Sequence, residues 1–177
     1  MDTDGLVPSI LPEIPSSQIT IIYPKKTVDL GQEFAPQDVR EQPQVHWEAD
    51  PEKYYTLVMT DPDAPSRRCP FVAEVIHWLV GNIKGCDMST GEVIAEYRGA
   101  GPPRGTGLHR YLFMVFEHEQ AVTFDEVRMP KEGSRRHRLR FSTENFRKKY
   151  NFERIFAWNF FKAQWQQDPN ARTCVCM

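Results

Sequence analysis

The sequence predicts a mainly β protein: a β-sandwich decorated by short helices near its C-terminal end. Three observations carry that reading. Runs rich in Val, Ile, Tyr, Phe and Trp recur at strand length along the first two thirds of the chain. Fourteen prolines are spread through 177 residues, which suits short strands and many loops rather than a helical bundle. Helical spacing and capping signals are confined to the last third.

In chain order, residues 1–17 are rich in Pro and Ser and are expected to wrap the surface irregularly. Residues 18–23 form a β-branched run stopped by Pro24, and residues 41–47 read as a second strand. Residues 54–60 are apolar on both faces, which predicts a central strand. The loop Asp61-Pro62-Asp63-Ala64-Pro65-Ser66-Arg67 cannot continue a ladder, because its prolines lack the amide hydrogen. A cis X-Pro bond is compatible with so tight a turn. Residues 74–83 give the next strand. Strict alternation puts Val75, His77, Leu79 and Ile83 on one face and Ile76, Trp78 and Val80 on the other. A glycine-rich turn over residues 99–107 precedes a strand over 109–116, with His109, Tyr111, Phe113 and Val115 sharing a side. Ser142 or Thr143 can cap a helix with Glu144 in its first turn and Arg147, Lys148 and Lys149 in its last. Trp158, Phe161 and Trp165 recur at three- and four-residue steps and predict a second helix. No internal repeat or low-complexity segment interrupts the chain, and one domain over 1–177 is expected, with 167–177 as a flexible tail.

Composition sets limits on function. A formal net charge of -2 argues against nucleic acid as a partner. The charge is uneven, however. Residues 128–149 hold nine Lys/Arg against two acids, a local balance of +7, which suits either a solvated face or contact with phosphoproteins or an anionic membrane surface. The acidic start, Met1-Asp2-Thr3-Asp4-Gly5, lacks a signal-peptide core, and no stretch has the length of a membrane span. Cys69, Cys86, Cys174 and Cys176 have neither metal-site spacing nor the density of a disulfide scaffold, so reduced thiols in the cytoplasm are expected.

The two dense loops each border a strand that carries a histidine. If those strands are close in space, Asp61, His77, His109 and Tyr111 converge at one end of a sheet. Gly101 lets backbone approach a ligand there. A protonated histidine pair can hold a phosphate, Tyr111 adds a hydroxyl, and Asp61 can orient one imidazole. A single histidine on an apolar face is more often a hydrogen-bonded core residue, and spacing by itself does not establish convergence. Two histidines and an aspartate also match a metal triad by type, but HExxH-like spacing is missing, so neither metal nor cofactor is expected. Ser66 lacks a GxSxG context and Cys69 follows Arg67-Arg68 on a loop without a base, so an enzyme is not expected.

The run Tyr55-Thr56-Leu57-Val58-Met59-Thr60 followed by Asp61-Pro62-Asp63-Ala64-Pro65-Ser66, with His77 eleven residues later, resembles the signature of the phosphatidylethanolamine-binding protein family. So does Gly101-Pro102-Pro103-Arg104-Gly105-Thr106-Gly107-Leu108-His109-Arg110-Tyr111. His77-Trp78-Leu79-Val80-Gly81-Asn82-Ile83 and Phe146-Arg147-Lys148-Lys149-Tyr150 resemble its animal branch, which includes the Raf kinase inhibitor proteins. The resemblance implies a Greek-key β-sandwich with C-terminal helices. It also implies an anion pocket for phosphate or a phosphoethanolamine headgroup, formed by Asp61, Ala64, Pro65, His77, Gly101, Pro103, His109 and Tyr111 with Arg110 beside it. The family's members are mostly regulators of kinases and other signalling proteins, and some inhibit proteases. A monomer that regulates kinase signalling is therefore expected; inhibition of a serine protease and a phosphate-handling hydrolase using His77 and His109 are the alternatives.

The chain departs from the animal pattern in places. Val72 and Val75 stand where a tyrosine and a tryptophan are common shortly before the pocket histidine, so one wall of the implied pocket loses aromatic surface. Asn145 stands at the phosphorylated serine of kinase-inhibiting members, with Ser142 and Thr143 nearby. The tail is shorter than in most members. Its last four residues, Cys174-Val175-Cys176-Met177, fit a loose prenylation box, which makes Cys174 a candidate lipidation site and peripheral membrane attachment an expectation.

Overall fold

Among the described residues, ten strands arrange themselves in two sheets, and the strands apolar on both sides lie at the centre of the larger one. The computed structural model describes residues 3–167. The strands are β1 (Ser17–Gln18), β2 (Thr20–Tyr23), β3 (Lys26–Thr27), β4 (Gln32–Glu33), β5 (Gln44–His46), β6 (Tyr54–Asp61), β7 (Val75–Lys84), β8 (Glu92–Ala95), β9 (His109–His118) and β10 (Ile155–Ala163). A helix, α1 (Thr143–Lys149), packs late in the chain. The large sheet runs β1-β10-β9-β6-β7-β8, with β4 also paired to β10, and the small sheet runs β3-β2-β5. β6, β7 and β8 are antiparallel neighbours in sequence order, and β9 returns to pair with the far side of β6. That spatial order, fourth-first-second-third, is a Greek key.

Burial on two faces explains why the central strands read as apolar runs. Tyr55, Leu57 and Met59 of β6 and Tyr111, Phe113 and Val115 of β9 pack inward against Ile21 and Tyr23 of the small sheet. Leu112, Met114 and Phe116 of β9 point the other way, onto Leu6, Leu11 and Phe146 of α1. Each such fully buried apolar side chain contributes roughly 1.5–3 kcal/mol. Leu6 and Leu11 of the N-terminal segment thus help close the outer face of the large sheet.

Several expectations need correction. The segment over 155–163 is the strand β10 and not a helix. Ala157, Phe161 and Ala163 face the sandwich while Trp158 and Phe160 face outward, which is strand alternation. The spacing of Trp158 and Phe161 mimicked a helix because a strand buried on both faces is apolar throughout. The expected strand over 41–47 shrinks to Gln44–His46, because Pro43 cannot donate to the ladder. Strict alternation also fails in β7. Met59 pairs with Trp78 but Thr60 pairs with Ile76, so His77 is an extra, bulged residue. A second shift, where Tyr55 pairs with Ile83 and Leu57 with Val80, lies around Asn82, whose φ is +56°. Trp78, Val80 and Ile83 consequently share the sandwich core, and Ile76 and Leu79 face outward.

The helix starts where the cap predicts. Ser142 Oγ accepts from the Asn145 amide at 3.2 Å, and Thr143 is instead tied to the Glu74 carboxylate through its amide and hydroxyl. The basic run over 128–149 does not form one face. Arg138 is buried, Arg147 and Lys148 pair with Glu144, Lys149 pairs with Asp125 and Glu126, and Arg128 pairs with Glu92. No helix among the described residues is long and apolar enough to cross a membrane. Cys174 and the tail over 168–177 lie outside the described residues.

Candidate functional site

Three central strands deliver the candidate residues to one end of the large sheet. Asp61 ends β6, His109 begins β9, and His77 sits near the start of β7. The two histidine strands are not neighbours, because β6 lies between them. Its terminal carboxylate thereby stands between the two imidazoles. A cavity of about 240 Å³ opens here, and Asp61, Ala64, Pro65, His77, Gly101, Pro103, His109 and Tyr111 all line it.

His77 reaches the cavity because of the bulge. An unbulged β7 alternates strictly and cannot place both His77 and Trp78 on the sandwich side, whereas the extra residue re-aims the imidazole. His77 Nδ1 lies 2.7 Å from the Arg98 carbonyl, and the Arg98 amide donates back to the His77 carbonyl at 2.9 Å. A carbonyl only accepts, so Nδ1 carries the proton and Nε2 is left as the ring's free acceptor. The ring meets Tyr111 edge-on, with centroids 5.2 Å apart, and Tyr111 stacks in turn on Phe161. Burial, followed in weight by the nearby Asp61 charge, holds the Tyr111 hydroxyl well above its usual range, so it stays a proton donor.

His109 is fixed from both sides. Its Nδ1 lies 2.8 Å from Asp61 Oδ2 and its Nε2 lies 2.9 Å from Thr106 Oγ1. The other Asp61 oxygen accepts the Asp63 amide at 2.8 Å, which shapes the loop after β6. Two peptide bonds in the following segment are cis, Ala64–Pro65 and Ala73–Glu74. Arg110 does not line the cavity. Its side chain turns back to Asp63, with Nε 2.8 Å from Oδ2 and a terminal nitrogen 2.6 Å from Oδ1, and its other terminal nitrogen donates to the Asp4 carbonyl. It braces the loop from behind.

Sequence reasoning missed part of the wall. Arg98, Arg135 and Arg138 line the cavity along with Ile76, Gly99 and Leu139, while Val72 and Val75 stand in the wall where the resemblance put them. Arg138 is only 1% exposed and has no carboxylate partner among the described residues. Its terminal nitrogens donate to the carbonyls of Ile76, His77, Glu96, Met129 and Pro130 at 2.9–3.3 Å. Two of these carbonyls flank the bulge, where the ladder is locally broken and acceptors are left over. Burial pushes the Arg138 guanidinium down to about 10, with Arg98 adding to the shift, so it remains charged at neutral pH. The only available signal was the excess of arginine over 135–140, which pattern reading assigns to solvent.

Burial lowers His77 from the ordinary histidine range, against an upward pull from Asp61. This runs against a cationic histidine pair in the free protein, since the buried imidazole favours its neutral form. The depressed value gives a testable stability profile. The unfolded chain takes up the His77 proton near pH 6.5 while the folded one resists it, so stability is full above that pH and is lost as pH falls. His118 is lowered by burial too and adds to the same slope. Thermal denaturation from pH 8 to pH 5 is expected to show Tm falling below about pH 6.5. His77→Asn, which keeps a donor for the Arg98 carbonyl, is expected to flatten part of that fall.

A Greek-key sandwich with a cavity of charged and apolar side chains at one end of its central strands defines a class of β proteins. Comparison with known proteins narrows the class. The family profile described as phosphatidylethanolamine-binding protein matches residues 21–151, and the chain belongs to that family. A Drosophila melanogaster protein provisionally named odorant-binding protein A5 is 36% identical over 164 residues, covering 92% of this chain and 77% of its own. The solution structure of CG7054 is 35% identical, covers 92% of this chain and 93% of its own, and superposes with a TM-score of 0.73. The phosphatidylethanolamine-binding protein from Plasmodium vivax shares the fold at 24% identity, with 92% and 94% coverage and a TM-score of 0.75.

Proposed function

We propose that this chain is a non-enzymatic recognition module that captures a phosphate-type anion, such as a phosphoethanolamine headgroup, and through that capture regulates a signalling partner of the kinase class. The observation that carries the reading is the meeting of His77, His109 and Tyr111 on one small cavity with three arginines in its wall. The wall has imidazoles and a carboxylate but no serine, threonine or cysteine among its lining residues, which favours capture over nucleophilic hydrolysis.

The hydrogen-bond directions make a pH prediction. A phosphate oxygen that approaches His77 Nε2 needs one proton between the two atoms, brought by the ligand or taken up by the ring. Phosphate loses that proton near pH 6–7, so affinity is expected to fall as pH rises, by about tenfold from pH 6 to pH 8.5. Titration calorimetry with inorganic phosphate checks this. His77→Ala is expected to weaken binding by about tenfold or more, as loss of a hydrogen bond to a charged group does, and His109→Ala is expected to weaken it by releasing the Asp61 carboxylate and the Thr106 hydroxyl that the ring holds in place. Unchanged affinity in both variants sinks the reading.

A second reading has a specific observation behind it. Val72, Val75, Ile76 and Leu139 give the cavity an apolar side, and the Drosophila relative carries an odorant-binding name. A small apolar odorant that binds with phosphate absent, and unchanged in His77→Ala, favours that alternative. Peptidase inhibition is assayed in parallel, and inhibition indifferent to His77→Ala locates that activity on another surface.

A further inference from the structure

The cavity wall is unbalanced in charge. Asp61 is its sole lining acid among the described residues, and both of its oxygens are already engaged, by His109 Nδ1 and by the Asp63 amide. Against it stand Arg98, Arg135 and Arg138. Two of these guanidinium groups hold spare donors: Arg138 Nε and one terminal nitrogen of Arg98 are buried without an acceptor. A buried N–H on a cation that lacks an acceptor is costly, and an anion arriving in the cavity relieves that cost. The Arg98 backbone is held against this wall by His77, whose ring Nδ1 donates to the Arg98 carbonyl and whose carbonyl accepts the Arg98 amide. It also borders a neighbouring depression lined by Arg40, Lys131 and Glu132, where cations again outnumber acids. Arg135 is exposed at the rim.

The ammonium group of an ethanolamine ligand is ill served in this setting. Once its phosphate meets His77 and Tyr111, the ammonium lies among guanidinium groups with no uncommitted carboxylate to receive it. A carboxylate in the same place meets cations instead, and it relieves whichever idle donor it reaches. We propose, on the strength of the phosphate reading above, that the cavity selects ligands carrying a second anionic group next to the phosphate, of the phosphoserine kind, over zwitterionic phosphorylethanolamine. Arg98 and Arg135 are the residues that set this preference.

Titration calorimetry of the full chain at pH 7 with O-phospho-L-serine, phosphorylethanolamine and inorganic phosphate tests it. O-phospho-L-serine is expected to bind about tenfold more tightly than phosphorylethanolamine, the scale of one added charge-assisted contact. The ratio is expected to fall towards one in Arg98→Met and, more modestly, in Arg135→Met. Arg135 is exposed, so its replacement keeps the test free of folding effects. Glycerophosphoserine and glycerophosphoethanolamine run alongside separate a lipid headgroup from the free monoester, and a preference for either serine ligand over its ethanolamine counterpart supports the inference. Phosphate binding with a ratio at or below one in the parent chain overturns the selectivity and leaves the site standing. Failure of every probe to bind removes the phosphate reading and the selectivity together.

Discussion

Replacing Arg110 with alanine is expected to lower stability by about 3–5 kcal/mol, the cost of breaking a buried ion pair from one side. Arg110 and Asp63 are 7% and 1% exposed, and three Arg110 nitrogens, one of them its main-chain amide, reach the two carboxylate oxygens at 2.6–2.8 Å. The alanine variant leaves the Asp63 carboxylate buried with only the amide donor. For a chain of this length, the loss corresponds to a fall in Tm of about 10 °C. Arg110→Met combined with Asp63→Leu removes both charges, and thermal denaturation of that double variant is expected to recover most of the difference. A small effect of Arg110→Ala alone contradicts the assignment of Arg110 as a brace. The Asp4 carbonyl also loses its Arg110 donor, so protease nicking of the N-terminal segment is expected to rise with the loss of stability.

Arg138→Ala is the other large effect, expected at about 3 kcal/mol or more, because several buried carbonyls lose a charged donor together. The Glu96 and Pro130 carbonyls are the most exposed to this loss, while the His77 carbonyl keeps the Arg98 amide and the Met129 carbonyl keeps the Glu96 amide. Arg138→Lys is expected to rescue only partly. An ammonium has three donors on one atom and cannot span five acceptors that a planar fork bridges. The binding readout separates this role from plain stability. Loosening the bulge is expected to move His77, so phosphate affinity falls in Arg138→Ala even at temperatures where the variant is folded. Unchanged affinity in a destabilised variant reduces Arg138 to a packing residue.

Much of this architecture was legible before any coordinates. The strand β9 was readable because His109, Tyr111, Phe113 and Val115 alternate with Leu112 and Met114, a period that only a strand buried on two faces turns into a continuous apolar run. The Ser142 cap was readable because capping is local chemistry between a hydroxyl and an amide three residues on. β10 was misread because Trp158 and Phe161 carry a spacing that suits a helix and a two-faced strand alike, and only pairing with β9 decides between them.

The amino-acid order therefore determined the strand-rich class, the central strands, the helix start and the residue types gathered in the two dense loops, since all of these depend on local chemistry and short periods. Tertiary structure alone decided that β6 separates the histidine strands, that His77 is bulged towards the cavity, that Arg110 faces away from it, and that Arg138 is buried. A bulge belongs to a pair of strands, and burial belongs to everything packed around a side chain. Neither is a property of one stretch of sequence.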